Sequence, residues 1–168
     1  GVNATLTVQN NPTITKAFNP TSIAANGTSQ LTFTITAGAG AQGLTGLGFT
    51  DTLPANLVIA TPNGLSNACG GTVTAVAGSD TISLTNGPLS AAPASCTISV
   101  NVTSPTLGTY LNNSANFSGL AGGLTAGTAN ATLNVVGTTL TKAFSPTEIG
   151  TGGTSTLTFT ITNGAGNP

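Results

Sequence analysis

Histidine, tryptophan, methionine and arginine are all missing from this chain, and charged side chains make up only 3% of it. Each absence removes a class of function. Without histidine there is no side chain whose ordinary pKa suits a general base near neutral pH, so a nucleophile–base–acid set cannot be assembled in the usual way. Nothing in the pattern points to the serine–lysine alternative. Asp51, Asp80 and Glu148 are too few and too scattered for a calcium loop, and the cysteines lie in no metal-ligand spacing. Neither a cofactor nor a metal is expected, and an enzyme is not expected. Lys16 and Lys142 are the only cations, which leaves no electrostatic footprint for nucleic acid. No apolar run approaches the ~18 residues of a membrane-crossing helix. No secretion signal is legible, as expected of a stretch read as beginning within a longer array.

What the chain has instead is threonine, serine, asparagine and 23 glycines. Ordinary soluble domains carry roughly 25% charge. Here hydroxyls and amides must solvate the surface, and with a net charge of −1 little repels a neighbour. That suits a fibre, sheath or surface layer better than a crowded cytosol.

The chain also repeats. Thr15-Lys16-Ala17-Phe18-Asn19-Pro20-Thr21-Ser22-Ile23 returns as Thr141-Lys142-Ala143-Phe144-Ser145-Pro146-Thr147-Glu148-Ile149, an offset of 126 residues (142 − 16). Across 13–42 against 139–168, about 20 of 30 positions are identical. Asn3-Ala4-Thr5-Leu6-Thr7-Val8 likewise matches Asn130-Ala131-Thr132-Leu133-Asn134-Val135. A fixed period of this kind marks a tandem array. The boundaries read as 1–10 for the last strand of a preceding repeat, 13–136 for one complete repeat, and 138–168 for the opening strands of the next.

Within the repeat the hydrophobic period is two, not 3.6. Leu31, Phe33 and Ile35 alternate with threonines in the clearest strand. Thr13–Phe18 places Ile14, Lys16 and Phe18 on one face, and Asn19-Pro20 ends it because proline lacks a ladder donor. Asn26-Gly27 is a turn signal. Further strands are expected at 4–8, 47–54, 57–60, 71–76, 80–84, 96–102, 108–117 and 128–136, with glycine-rich loops at 38–46 and 119–127. No window has a helical period. Many short strands between Gly, Pro and Asn turns predict an all-β, immunoglobulin-like β-sandwich.

Cys69 and Cys96 form an even pair inside one repeat, and a disulfide is the favoured reading. Closing that loop (96 − 69 = 27) would stabilise by roughly 3–4 kcal/mol in the chain-entropy model, and disulfides persist outside the cytosol.

The set Leu140–Ile149, Gly153-Thr154-Ser155 and Leu157–Thr162, together with Phe49-Thr50-Asp51-Thr52-Leu53-Pro54 and Cys69…Cys96-Thr97-Ile98, resembles the DUF11-type repeat of bacterial secreted surface proteins. The resemblance covers essentially the whole chain. It implies an immunoglobulin-like or prealbumin-like sandwich with a structural or adhesive role rather than a catalytic one. No family binding residue transfers, because the shared motif is scaffold.

Lys16 is the residue that hydropathy does not explain, since its phase points it at the core, and Lys142 repeats that phase. One reading is a partly buried Lys16–Asp51 ion pair or a lysine snorkelling at the sandwich rim. The other is an intramolecular isopeptide bond, with Asp51 as the assisting acid or itself the acceptor and Asn112, Asn113, Asn116 or Asn130 as candidate acceptors. Six Asn-x-Ser/Thr sequons (at Asn3, Asn26, Asn101, Asn112, Asn116 and Asn130) are what chance supplies in so threonine-rich a chain.

The function expected is therefore an extracellular structural repeat of a bacterial filament or surface stalk, packed against neighbouring identical repeats or subunits. The rivals are a subunit that polymerises by donating a β-strand and an adhesin module for glycan or host protein. An adhesin would have to bind without tryptophan and with Tyr110 as its only tyrosine, and its glycine-rich loops would be the place to look.

Overall fold

The computed structural model describes residues 4, 9–92 and 94–164. The strand expected at 4–8 falls outside the described residues, save Ala4. Fourteen strands follow: β1 (Thr13–Asn19), β2 (Ser22–Ala24), β3 (Ser29–Thr36), β4 (Leu44–Thr52), β5 (Val58–Ile59), β6 (Ser66–Asn67), β7 (Thr72–Ala75), β8 (Thr81–Leu89), β9 (Ser95–Thr103), β10 (Gly108–Asn112), β11 (Phe117–Ala121), β12 (Ala131–Val136), β13 (Thr139–Ser145) and β14 (Thr156–Thr162). One 3-10 turn, Ser114–Asn116, separates β10 from β11.

One sheet runs β1-β3-β9, with β5 and β6 both pairing the far side of β9. Facing it are two ladders, β11-β4-β8-β7 and β10-β12-β2, joined where the chain passes from β10 through the 3-10 turn into β11. After the Asn19-Pro20 break the chain leaves β3 and pairs β2 in parallel with β12, so the first two strands serve opposite sheets. This is an all-β sandwich of immunoglobulin-like plan.

Alternation fills its core. β1 buries Ile14, Lys16 and Phe18, and β3 buries Leu31, Phe33 and Ile35. β4 is irregular between Leu44 and Phe49, where its register against β8 shifts. Leu47 within that irregular stretch, and Phe49 and Asp51 after it, point inward. The apolar ones join Ile82, Leu84, Ile98, Val100, Val102, Leu133 and Val135 in one cluster. Phe33, Phe49 and Phe117 stack within it at centroid separations of 5.0, 6.0 and 5.5 Å.

Three sequence expectations need correcting. Residues 108–117 are not one strand. Asn113 caps the turn through Ala115 N, and the Asn116 side chain accepts from Asn113 N, so local side-chain bonds outcompete the ladder there. The loop expected at 119–127 begins as strand β11, and the loop at 38–46 ends as strand β4. The short strands β2 and β6 carried no periodic signal.

β13 and β14 form a two-stranded sheet of their own. Their register is that of β1 and β3 moved by one period: Thr13 faces Thr36 and Thr139 faces Thr162, Lys16 faces Phe33 and Lys142 faces Phe159. The connection is copied as well, since Ser29 Oγ donates to Pro20 O and Ser155 Oγ donates to Pro146 O, both at 2.6 Å. The junction repeats too. A Cβ at Gly38 would collide with the Asn10 carbonyl, and one at Gly164 would stand 2.7 Å from the Gly137 carbonyl oxygen. In both places the opening hairpin closes on the segment that precedes it, and only a residue without a side chain allows that approach.

Candidate functional site

The most unusual chemistry lies between the sheets. Lys16 comes from β1, Asp51 from β4 and Asn112 from β10, and all three are buried. Lys16 Nζ donates to Asp51 Oδ1 at 2.6 Å and to Asn112 Oδ1 at 2.6 Å. Asn112 Nδ2 donates to the other carboxylate oxygen, Asp51 Oδ2, at 2.6 Å. The three groups thus form a closed ring, with the amide and the amine each held by its own oxygen of one carboxyl group. Both side chains of the Lys16–Asp51 pair have no solvent exposure.

Each member arrives by the phase of its strand. Lys16 alternates with Ile14 and Phe18, Asp51 with Leu47 and Phe49, and Asn112 with Tyr110. Phe117 faces Asp51 across the β11–β4 ladder, and its ring centroid lies 3.9 Å from Lys16 Nζ. The ring packs directly against that nitrogen.

Burial governs the electrostatics. Loss of solvent pushes the Lys16 ammonium below its ordinary value, against the hydrogen bond and charge of Asp51. Loss of solvent likewise pushes the Asp51 carboxyl up, against the hydrogen bond from Asn112 and the charge and hydrogen bond of Lys16. Both shifts favour the uncharged partners, a free amine beside a carboxylic acid.

The other asparagines named from the sequence are placed elsewhere. Asn113 and Asn116 are occupied in the 3-10 turn, where Asn116 Nδ2 also donates to Thr52 O at 2.7 Å, and Asn130 is exposed. None of these three joins the ring. Lys142 is exposed, although it occupies the same place in its hairpin as Lys16. Cys69 and Cys96 form the expected disulfide, with Cys96 half-buried on the core side of β9.

A second polar knot was not read from the sequence. Tyr110 OH donates to Thr106 O at 2.7 Å and lies 2.8 Å from Ser104 Oγ, which accepts from Thr106 N at 3.1 Å. This is a tyrosine corner of the kind found before the penultimate strand of immunoglobulin domains, where a cysteine follows two residues later. Here the residue two positions on is Asn112. The signal available was the Tyr-x-Asn spacing itself.

A shallow surface depression of ≈ 350 Å³ lies beside the disulfide, lined in part by Cys69, Pro88 and Cys96. Among the described residues no group of three or more metal-ligating side chains occurs, and no helix is long and apolar enough to cross a membrane.

The fold and its buried ring define a small disulfide-bonded, immunoglobulin-like module. Residues 12–135 match the model of a domain of unknown function, DUF7933, and the chain belongs to that family. The family shown is this one, and the DUF11-type repeat that the motifs resemble is not the model that matches. No curated protein matches the sequence. Among solved structures, the chain is similar to BslA, a bacterial hydrophobin, at 15% identity and a TM-score of 0.46, covering 77% of this chain and 96% of that one. It is also similar to a non-cellulosomal cohesin from the hyperthermophilic archaeon Archaeoglobus fulgidus, at 10% identity and a TM-score of 0.40, covering 74% and 91%.

Proposed function

We propose that this chain is a structural segment of an extracellular tandem-repeat filament or surface stalk, built from copies of the 13–136 sandwich and performing no catalysis on other molecules. The observation that carries the reading is the β13–β14 hairpin. It reproduces β1–β3 residue for residue in register, yet it leaves Leu140, Phe144, Phe159 and Ile161 between 56% and 74% exposed. Their counterparts Ile14, Phe18, Phe33 and Ile35 are core. A hairpin with that face is the opening of a sandwich whose remaining strands come from further sequence or from another molecule. The disulfide and the hydroxyl-rich surface fit an extracellular setting.

The same exposed face also supports strand donation between separate subunits. Electron microscopy of the native protein, paired with denaturing electrophoresis, separates the two. Beaded fibres made of a very large polypeptide, one bead per repeat, support the tandem array. Fibres that dissolve into chains near 16.1 kDa would replace it with strand exchange. Isolated particles without fibres would refute both and return attention to an adhesin.

A further inference from the structure

The ring between Lys16, Asp51 and Asn112 holds more than an ion pair. A buried ion pair needs further hydrogen bonds to satisfy its remaining protons and lone pairs, but any acceptor would serve that purpose. Here one carboxyl group touches the amine through Oδ1 and the amide nitrogen through Oδ2, while the amine also touches the amide oxygen. These are the contacts of a nucleophile, an electrophile, a leaving group and a proton carrier, sealed from water by the Phe33, Phe49 and Phe117 cluster.

We propose that Lys16 and Asn112 join in an autocatalytic isopeptide bond, with Asp51 as the catalytic acid–base. The uncharged Lys16 amine attacks Asn112 Cγ, forming the Nζ–Cγ bond and placing the electron pair on Oδ1. Asp51 takes a proton from Nζ through one oxygen and delivers a proton to Nδ2 through the other. The Cγ–Nδ2 bond then breaks and ammonia leaves. Amine plus primary amide become secondary amide plus ammonia, so no oxidant, metal or cofactor is required. The effects of burial described above act in the same direction, since the amine must be free and the acid protonated.

Asn112 rather than Asp51 is the acceptor because only that choice leaves a proton carrier in place. Asp80 is exposed on β8's edge of the structure and does not join the ring. The chain also carries its own control. Lys142 has the same hairpin around it but lies in solvent without a carboxyl partner in an ion pair among the described residues, so one bond and not two is expected. The inference does not depend on the filament reading.

The test is the intact mass of the folded, full-length chain after reduction and denaturation. The expected mass is short of the calculated one by one ammonia. Trypsin offers a second readout, because lysine occurs at 16 and 142 only. A linked Lys16 is refractory, so cleavage occurs after Lys142 alone, and the tandem mass spectrum joins Lys16 to Asn112. Asp51→Asn should restore the full mass and cleavage after Lys16, with folding verified by circular dichroism. Lys142→Met should leave the ammonia deficit unchanged. A folded wild-type chain of full mass overturns the proposal. A deficit of water instead overturns the assignment of Asn112, and an unchanged deficit in Asp51→Asn overturns the role given to Asp51.

Discussion

Lys16 and Lys142 occupy the same register position in two hairpins 126 residues apart (142 − 16), opposite Phe33 and Phe159, yet one amine is sealed in the core and the other lies in solvent. The local sequence around them is nearly the same. The difference comes from β4 and β10, which bring Asp51 and Asn112 over the first hairpin and have no counterpart over the second among the described residues. The chemistry of a lysine here is set by strands that arrive from far along the chain.

Substitution of the two lysines should therefore give opposite results. Lys16→Met leaves the buried Asp51 carboxyl and the Asn112 amide oxygen without the amine that bridges them and should cost about 1–3 kcal/mol. Lys142→Met should change stability by less than about 0.5 kcal/mol. Urea midpoints of the two variants decide this, and equal effects would refute the placement of Lys16.

Acid should strengthen the fold before it weakens it. The Asp51 carboxyl is raised by burial, so its contribution to stability is fully present below the unfolded value near 3.8 and is lost as pH rises through the folded value. Stability against urea should accordingly rise as pH falls from neutral toward about 4, and Asp51→Asn should flatten that arm. The free Lys16 amine has the opposite sign. Its lowered value gives stability that is present above 10.5 and lost as pH falls through the folded value. An alkaline rise belongs only to chains in which that amine is unlinked. A steady loss of stability on acidification from neutral would contradict the burial of Asp51.

Tyr110→Phe removes the hydroxyl that joins Ser104 and the Thr106 carbonyl. Ser104 is buried and would lose one partner, so a loss of about 1–3 kcal/mol is expected by thermal or urea denaturation. A neutral result would mean that the corner is ornamental.

Reduction of Cys69–Cys96 should lower stability by about 3–4 kcal/mol for a loop of this length, without unfolding the sandwich, because most of the core cluster is aliphatic and aromatic and does not involve the two cysteines. Denaturant curves with and without reductant measure the difference.

Gly38→Ala tests the junction. The added methyl meets the Asn10 backbone and should cost about 1–3 kcal/mol, whereas Gly150→Ala, which meets nothing within 4 Å, serves as the matched control. Comparable melting temperatures for both would show that the hairpin does not close on the preceding segment.

The sequence made parts of this molecule legible and hid others for identifiable reasons. β3 was plain because a strict two-residue period survives wherever one strand face is core and the other is wet. Lys16 stood out for the same reason, being polar in an apolar phase. Asn112 was one of four candidate asparagines that nothing ranked, since hydropathy alone would turn Leu111 inward, and the structure instead exposes Leu111 at 50% and buries Tyr110 and Asn112. The inversion follows from the tyrosine corner, which fixes the phase of β10 through a backbone bond to Thr106. β2 and β6 were invisible because three or two residues have no period, and their pairing partners lie on β12 and β9.

The parallel pairing of β2 with β12 has a consequence for load. The chain enters the sandwich ahead of β2 and leaves it after β12, and the two strands run in the same direction with Ser22, Ile23 and Ala24 beside Asn134, Val135 and Val136. Once tension on the N-terminal flank has drawn β1 from β3, it slides β2 along β12 instead of peeling them apart. Their hydrogen bonds, including Asn134 N to Thr21 O, bear the force together and must fail together. A strand of three residues becomes a shear clamp by its direction alone.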